Sequence, residues 1–386
     1  AGAASAATAA PVAAAAPGGS AEPGLRVILF MRHGQCCHED EGDELKSLTE
    51  HGHKQAEYSA RFVAKLFADG RVPAKRALLH STSRRARETA AKLPWHLPGL
   101  EVWNADIIRE TNPSSNPLRA EEVFHRLFVA PQQGESFTLL VVAHNNIILY
   151  LLMRAAGAPI ERAAQAWRLF HLRHASLTRI EVRAGINHIV SIGAAGHIPH
   201  VSVTWNNIQG ADMSAWKGGR PDRHKFSGRM VILVRQADSA PGRSSEQNKK
   251  VAAHVKGLSD YMVSGHMTVV CTKSALSTAG GIAKMFKTAP QVFPDNITEH
   301  LEAAFAEFFT RPTAHSRDTV CMVADDGPVL YWLLRALQLG TEEAKAAIGS
   351  YCIGHVSVTL VNIKSDALMK VVTVGDTGHL EEQDQA

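Results

Sequence analysis

Five side chains early in the 386-residue chain have the chemistry of phosphoryl transfer. His33 directly follows the apolar run Val27-Ile-Leu-Phe-Met31 and Arg32, at the kind of strand end where open α/β sheets hold ligands. An imidazole with an ordinary pKa of about 6.5 is a competent nucleophile at neutral pH. Arg32 and Arg85, the latter in Ser81-Thr-Ser-Arg-Arg-Ala-Arg-Glu-Thr-Ala90, carry forked donors that match phosphate oxygens two at a time. His144 closes the apolar run Phe137–Ala143 and adds a cation or hydrogen bond on the same sheet edge. Glu110, in Ile107-Ile-Arg-Glu110, supplies a carboxyl that can protonate a leaving oxygen once burial and a bound anion raise its pKa. One nucleophile, three cationic or donor groups and one acid suffice without a metal or cofactor. Singly, each has a plainer reading as a structural histidine or a surface charge. Their order in one domain carries the argument.

These residues need a sheet to position them. Continuous apolar runs closed by polar residues alternate with stretches of helical period, which is the pattern of a mainly parallel sheet covered on both faces. Strands are expected at Arg26–Met31, Ala77–His80 and Phe137–Ala143. Helices are expected after Thr49 as N-cap, with Ala56, Ala60, Val63, Ala64 and Leu66 inside, then through Ala86, Ala90 and Leu93, and over Ile147–Ala156. The class is α/β.

The chain also repeats itself. Val27–Gly34 resembles Val231–Ala237, and Leu140–Arg154 resembles Cys321–Arg335. His174-Ala-Ser-Leu-Thr178 follows His144 at the spacing by which His355-Val-Ser-Val-Thr359 follows Asp325, and both copies end in Gly-x-x-Gly-His, at Gly193–His197 and Gly375–His379. The expected organisation is a flexible Ala-rich tail over 1–24, a complete three-layer αβα domain over 25–205, a connector over 206–227, a degenerate second domain of the same kind over 228–380, and a tail over 381–386. In the second copy Gln236 replaces His33, Asp325 replaces His144, Leu276 aligns with Arg85, and the stretch before Leu301 leaves no counterpart of Glu110; Arg235 alone remains. That copy reads as a pseudophosphatase kept for packing, docking or regulation.

At 45% apolar and 20% charged, with no apolar run long enough to span a bilayer, the chain excludes an integral helical membrane fold. A net charge of +4 with interleaved signs speaks against nucleic acid and for small anionic sites. Five cysteines without repeating CxxC spacing are expected as free thiols, and Cys36-Cys37-His38 beside the acids of Glu39–Glu44 reads as a hydrated loop rather than a metal site. His51-Gly-His53 is likewise not read as a ligand pair. Trp205 and Trp216 flank the connector and are expected to pack it onto a domain.

The arrangement resembles the histidine phosphatase, or phosphoglycerate-mutase-like, superfamily, through Arg32-His33-Gly34 after its apolar run, the Arg85 segment, Arg109-Glu110 and Val142-Ala-His144. Within it the chain looks most like the mitochondrial phosphoglycerate-mutase-like Ser/Thr protein phosphatases, through Ile28–Gln35, Leu48–Ala56, Ile108–Thr111, Leu301–Phe305 and Val374–His379. The resemblance implies a phosphohistidine on His33, a phosphoryl group held by Arg32, Arg85 and His144, and Glu110 as the acid and then the base for water. It implies a phosphoprotein substrate, with a small phosphorylated metabolite as runner-up, and a mitochondrial rather than cytoplasmic location. The Trp-Asp-containing multimerisation segment of those phosphatases is not seen as such. The competing class is a scaffolding subunit that contacts a larger assembly through its second domain.

Overall fold

The computed structural model describes residues 24–38, 46–170, 172–204, 208–209, 228–239, 243–262, 267–293, 297–310, 318–364 and 367–380. The expected tails, the acidic run Glu39–Glu44, Trp205, Trp216 and nearly all of the 206–227 connector lie outside the described residues. In the first half the strands are β1 (Leu25–Arg32), β2 (Cys37–His38), β3 (Arg76–Ser81), β4 (Glu101–Ala105), β5 (Ser136–Ala143), β6 (Leu177–Arg183) and β7 (Ile186–Ala194), followed by the short β8 (Ile208–Gln209). The helices there are α1 (Glu50–Ala68), α2 (Arg84–Ala90), α3 (Leu93–His96), α4 (Pro117–Leu127), α5 (Asn145–Ala155) and α6 (Ile160–Ala163). The second half holds β9 (Arg229–Arg235), β10 (Met267–Cys271), β11 (Gln291–Val292), β12 (Thr319–Ala324), β13 (Val358–Ile363) and β14 (Met369–Asp376). Its helices are α7 (Arg243–Met262), α8 (Leu276–Met285), α9 (Ile297–Phe308), α10 (Asp326–Ala336) and α11 (Thr341–Ala347).

The local signals act as the residue types dictate. Thr49 caps α1 by accepting from the Gly52 amide, and Ala56, Ala60, Val63 and Leu66 form its buried face; Ala64 lies at the edge, partly exposed. The helix expected through Ala86, Ala90 and Leu93 breaks in two, and Pro94 sits in the first turn of α3, where a missing N–H costs nothing. α5 is apolar almost all round because it lies between the sheet and further helices, with Ile147 to Met153 all buried. All five cysteines are free thiols.

The sheet runs β11-β10-β12-β9-β13-β14-β7-β6-β1-β5-β3-β4, twelve strands in one surface. β4, β3, β5 and β1 are mutually parallel, and β6 and β7 extend them antiparallel; β11, β10, β12 and β9 with β13 and β14 do the same in mirror order. The two halves meet where β14 pairs antiparallel with β7 at Val374 and Ile192, with bridges Phe170 to Val371 and Ile189 to Tyr351 beside it. Joining at β7 and β14 removes an open, largely apolar edge from each half. On one face a single core crosses the junction, from Ile148 and Leu152 through Ile189 and Ile192 to Tyr351, Ile353 and Leu333. On the other face two separate cores lie under α1 to α3 and under α7 and α8. Among the described residues, no helix is long and apolar enough to cross a membrane.

Candidate active site

β1 and β5 are neighbouring parallel strands in register, Arg32 opposite Ala143, and the His33 amide donates to the Ala143 carbonyl at 3.0 Å. The chain therefore leaves both strands at one level, and their next residues are His33 and His144, with ring centroids 5.2 Å apart. β3, on the far side of β5, ends at Ser81, and Arg85 reaches back from the first turn of α2. Glu110 follows the 3-10 turn Asp106–Ile108 that leaves β4. Four adjacent strand ends thus bring Arg32, His33, Arg85, Glu110 and His144 to one sheet edge. The loop after His33 lies against the start of α1: a Cβ on Gly34 would approach the Gly52 carbonyl to 2.5 Å, and one on Gly52 would meet the Gln35 carbonyl at 2.0 Å. The Gly34 amide is held by Thr89 Oγ1 at 3.0 Å.

Hydrogen bonds assign the protons. His33 Nδ1 lies 2.7 Å from the Gly34 carbonyl, which only accepts, so Nδ1 carries the hydrogen and Nε2 the lone pair. Arg85 Nε donates to that Nε2 at 3.2 Å. Burial, then His144, Arg32, Arg85 and His174 hold the His33 pKa well below its ordinary value, so the ring is neutral at neutral pH. Arg85 Nη2 lies 3.2 Å from His144 Nδ1, and the opposite nitrogen of that ring, Nε2, donates to Ser81 Oγ at 2.8 Å. Arg32 donates through Nη1 to the Leu172 carbonyl at 2.5 Å, and its Nη2 lies 3.1 Å from His174 Nε2. Burial brings the Arg32 guanidinium down to about 10, still charged at neutral pH. Burial pushes Glu110 up to about 7 against the pull of Arg32, Arg85 and the amides of Asn146 and Thr111. Its Oε2 lies 3.9 Å from His144 Nδ1, and its buried Oε1 has no hydrogen-bond partner among the described residues. A pocket with two guanidiniums, a neutral His33 and a carboxyl that titrates near neutrality is built to take an anion and pass a proton.

Some members were not read from sequence. His174 was visible only as part of a repeated His-x-Ser-x-Thr pattern, yet it borders Arg32 and holds Thr204 Oγ1 through Nδ1 at 2.9 Å. Thr204 in turn accepts from Gln55 Nε2 at 2.7 Å, and Gln55 Oε1 accepts from the Gln35 amide at 2.9 Å. Ser81 and Thr89 also support the site. His51 ties α1 to the Ser202 carbonyl at 2.8 Å.

The counterpart region of the second half keeps only the guanidinium of Arg235 among the pocket's functional groups, yet it retains the frame. The Ala237 amide is held by Thr278 Oγ1 at 3.1 Å, as Gly34 is by Thr89. That equivalence puts Ser274, not Leu276, in the place of Arg85; Leu276 opens α8 and is 45% exposed. Gln236 Nε2 donates to Asp325 Oδ1, and Ser274 Oγ donates to Asp325 Oδ2 at 3.0 Å. Arg235 donates to the Ile353 carbonyl and lies 3.6 Å from Asp326 Oδ2.

Residues 28–115 match a family model described as histidine phosphatase superfamily (branch 1). The matched segment contains Arg32, His33, Arg85 and Glu110 and ends before His144. The chain is 33% identical over 194 residues to the mitochondrial serine/threonine-protein phosphatase Pgam5 of Caenorhabditis briggsae, covering 45% of this chain and 64% of that protein. It is 31% identical over 195 residues to the same-named protein of Caenorhabditis elegans, with the same coverage. It thus spans just under two thirds of the length of these curated relatives. A phosphoglycerate mutase structure from Plasmodium falciparum is 22% identical, covering 44% of this chain and 91% of that chain, with a TM-score of 0.34.

Proposed function

We propose that this histidine phosphatase superfamily chain is a phosphomonoesterase that works through a phosphohistidine on His33, with phosphoserine or phosphothreonine of a protein as its substrate. The observation that carries the reading is the state of His33: neutral, with Nδ1–H fixed on the Gly34 carbonyl and Nε2 turned toward Arg85. An incoming phosphoryl oxygen takes over the Arg85 donor and exposes the lone pair. Nε2 then forms a bond to phosphorus as the phosphorus–oxygen bond of the ester breaks, and protonated Glu110 gives its proton to the departing oxygen. Positive charge that develops on the imidazole is stabilised through Nδ1–H and the Gly34 carbonyl. In the second step water attacks phosphorus, Glu110 takes its proton, and the nitrogen–phosphorus bond breaks to release phosphate. Arg32, Arg85 and His144 hold the phosphoryl oxygens throughout.

In this reading the chemistry belongs to residues 25–205, and residues 228–380 form a degenerate copy without activity. The mirrored strand order and the shared threonine–amide bonds support a tandem duplication. The names of the relatives support a protein substrate and a mitochondrial location. Rapid quenching of the full chain with a radiolabelled phosphopeptide tests the mechanism. The expected product is an acid-labile, base-stable phosphoenzyme that disappears in His33→Ala; an acid-stable adduct, or one retained in that variant, overturns it.

A further inference from the structure

The segment Leu172–His174 joins the site to the second half of the chain. Its two ends hold Arg32, through the Leu172 carbonyl at 2.5 Å and His174 Nε2 at 3.1 Å. Between them Arg173 reaches across the junction: its Nη2 donates to Asp376 Oδ2 at 3.0 Å and to the Gly193 carbonyl at 3.0 Å. Both members of this ion pair are buried, with side-chain exposures of 2% and 1%. Asp376 is fixed in turn by the amides of Ala195 and Gly196, each at 2.9 Å, and of Gly378 at 3.0 Å. A buried carboxylate with that many donors has one orientation, and an arginine on it cannot drift without leaving two charges unpaired. The pair is not repeated. By the repeated motifs, Gly354 stands where Arg173 does and Ala194 where Asp376 does, so the link exists once, on the side of the intact site.

We propose that Arg173 and Asp376 are positioning residues that set the Arg32 guanidinium for phosphate, so that the second half takes part in the chemistry of the first. The proposal rests on the reading of the first-half site as a phosphatase. It also gives a degenerate copy a reason to persist: β14 ends on a carboxylate that locks the loop behind Arg32.

The test uses the full chain with Arg173→Met, Asp376→Asn, Arg173→Lys and, as control, Arg162→Met, which removes a different bond across the junction, from Nη2 to the Leu337 carbonyl at 2.9 Å. Arg173→Met and Asp376→Asn are expected to weaken vanadate binding and raise KM for an aryl phosphate by about tenfold or more, because a small displacement of a positioned group is costly. They are also expected to raise the His33 pKa, followed by imidazole NMR against His33→Gln, as Arg32 moves away. Arg173→Lys keeps the charge, is expected to fold even where the methionine variant does not, and should recover part of the affinity. Arg162→Met should change neither affinity nor titration. A folded Arg173→Met or Asp376→Asn chain with wild-type vanadate affinity and an unmoved His33 titration overturns the link, as does an equal loss in Arg162→Met. If the wild-type chain binds no vanadate, the phosphatase reading falls, and the His33 titration still decides whether Arg173 and Asp376 position Arg32.

Discussion

At the carboxyl end of β1, Arg32 and His33 meet Arg85, His144 and Glu110; at the corresponding end of β9, Arg235 and Gln236 meet Ser274, Asp325 and Asp326. The first set keeps two guanidiniums around the neutral ring of His33, with a carboxyl that loses its charge near neutrality. The second sets one guanidinium against two carboxylates. At an effective dielectric constant of about 20, two like unit charges 4 Å apart repel by about 4 kcal/mol, enough to exclude a phosphate dianion from the second pocket. Away from the pocket the halves agree. Gly193 and Gly375, both at positive φ, donate to Thr178 and Thr359 at 3.0 and 3.1 Å. Arg154 lies over Phe124 at 5.2 Å and Arg335 over Phe305 at 5.1 Å. The difference teaches that this frame does not depend on the pocket residues, so the charges at the strand ends are free to change while the fold persists.

The sharpest way to break the comparison is His33→Ala. Its loss should exceed a thousandfold with the melting temperature little changed, since no other imidazole can take the nucleophile's place on the same side of the phosphoryl group. Purified variant that retains a tenth of the wild-type rate, a deficit of about 1.4 kcal/mol, would refute the role of His33.

Glu110→Gln should slow phosphoserine hydrolysis by about a hundredfold and nitrophenyl phosphate far less, because nitrophenolate leaves without a proton. With Glu110 at about 7, the wild-type rate on phosphoserine should decline as pH rises above 7, whereas the variant should lack that limb. The sign for stability follows from the same shift. A carboxyl raised from 4.5 to about 7 on folding contributes its full stabilisation below 4.5 and loses it as pH rises through 7. Glu110→Gln should therefore be more stable than wild type at pH 8, by a quantity on the order of 3 kcal/mol, and gain nothing at pH 4. Equal rate losses on both substrates would remove Glu110 from the acid role and bring forward Asp106.

Vanadate titrated calorimetrically into the full chain should bind with a stoichiometry of one, falling to none in Arg85→Leu. Two sites of similar affinity would contradict the charge inventory of the second pocket. Asp325→His with Gln236→His should not restore turnover, because Ser274 supplies no guanidinium and nothing in the described residues stands for Glu110.

The frame was legible because strands buried on both faces announce themselves: Val27–Met31, Phe137–Ala143 and Val231–Val234 read as apolar runs and are strands. The candidate site was legible because His33 stands one step past β1 and His144 one step past β5, so parallel register brings them together. What escaped has physical causes. Alignment of the two copies sets Leu276 against Arg85, whereas the bond from a threonine hydroxyl to a backbone amide sets Ser274 there, and such a bond leaves no hydrophobic period. His174 and the Arg173–Asp376 pair are made by residues distant in sequence, and a buried ion pair is indistinguishable from two surface charges until the chain is folded. The merger of two expected sheets into one depends on the edges of β7 and β14, whose partners no local pattern names.

The smallest expected effect compares a triad that both halves possess. Tyr150 donates to Glu121 Oε2 at 2.9 Å, with Arg154 Nε on the same oxygen at 2.9 Å; Tyr331 donates to Glu302 Oε2 at 2.6 Å, with Arg335 Nε there at 2.9 Å. The carboxylates differ in exposure, 12% for Glu121 and 47% for Glu302. A hydrogen bond to a charged group contributes about 1.5–3 kcal/mol when water cannot replace it, and less when it can. Tyr150→Phe should therefore destabilise the chain by about 1.5 kcal/mol or more, and Tyr331→Phe by less than about 1 kcal/mol. Neither should alter kcat, since both tyrosines lie one to two turns along their helices from the strand ends. Equal destabilisation would mean that water does not compete at Glu302, and a loss of activity in Tyr331→Phe alone would show that the second half acts on the site by a route other than the Arg173–Asp376 pair.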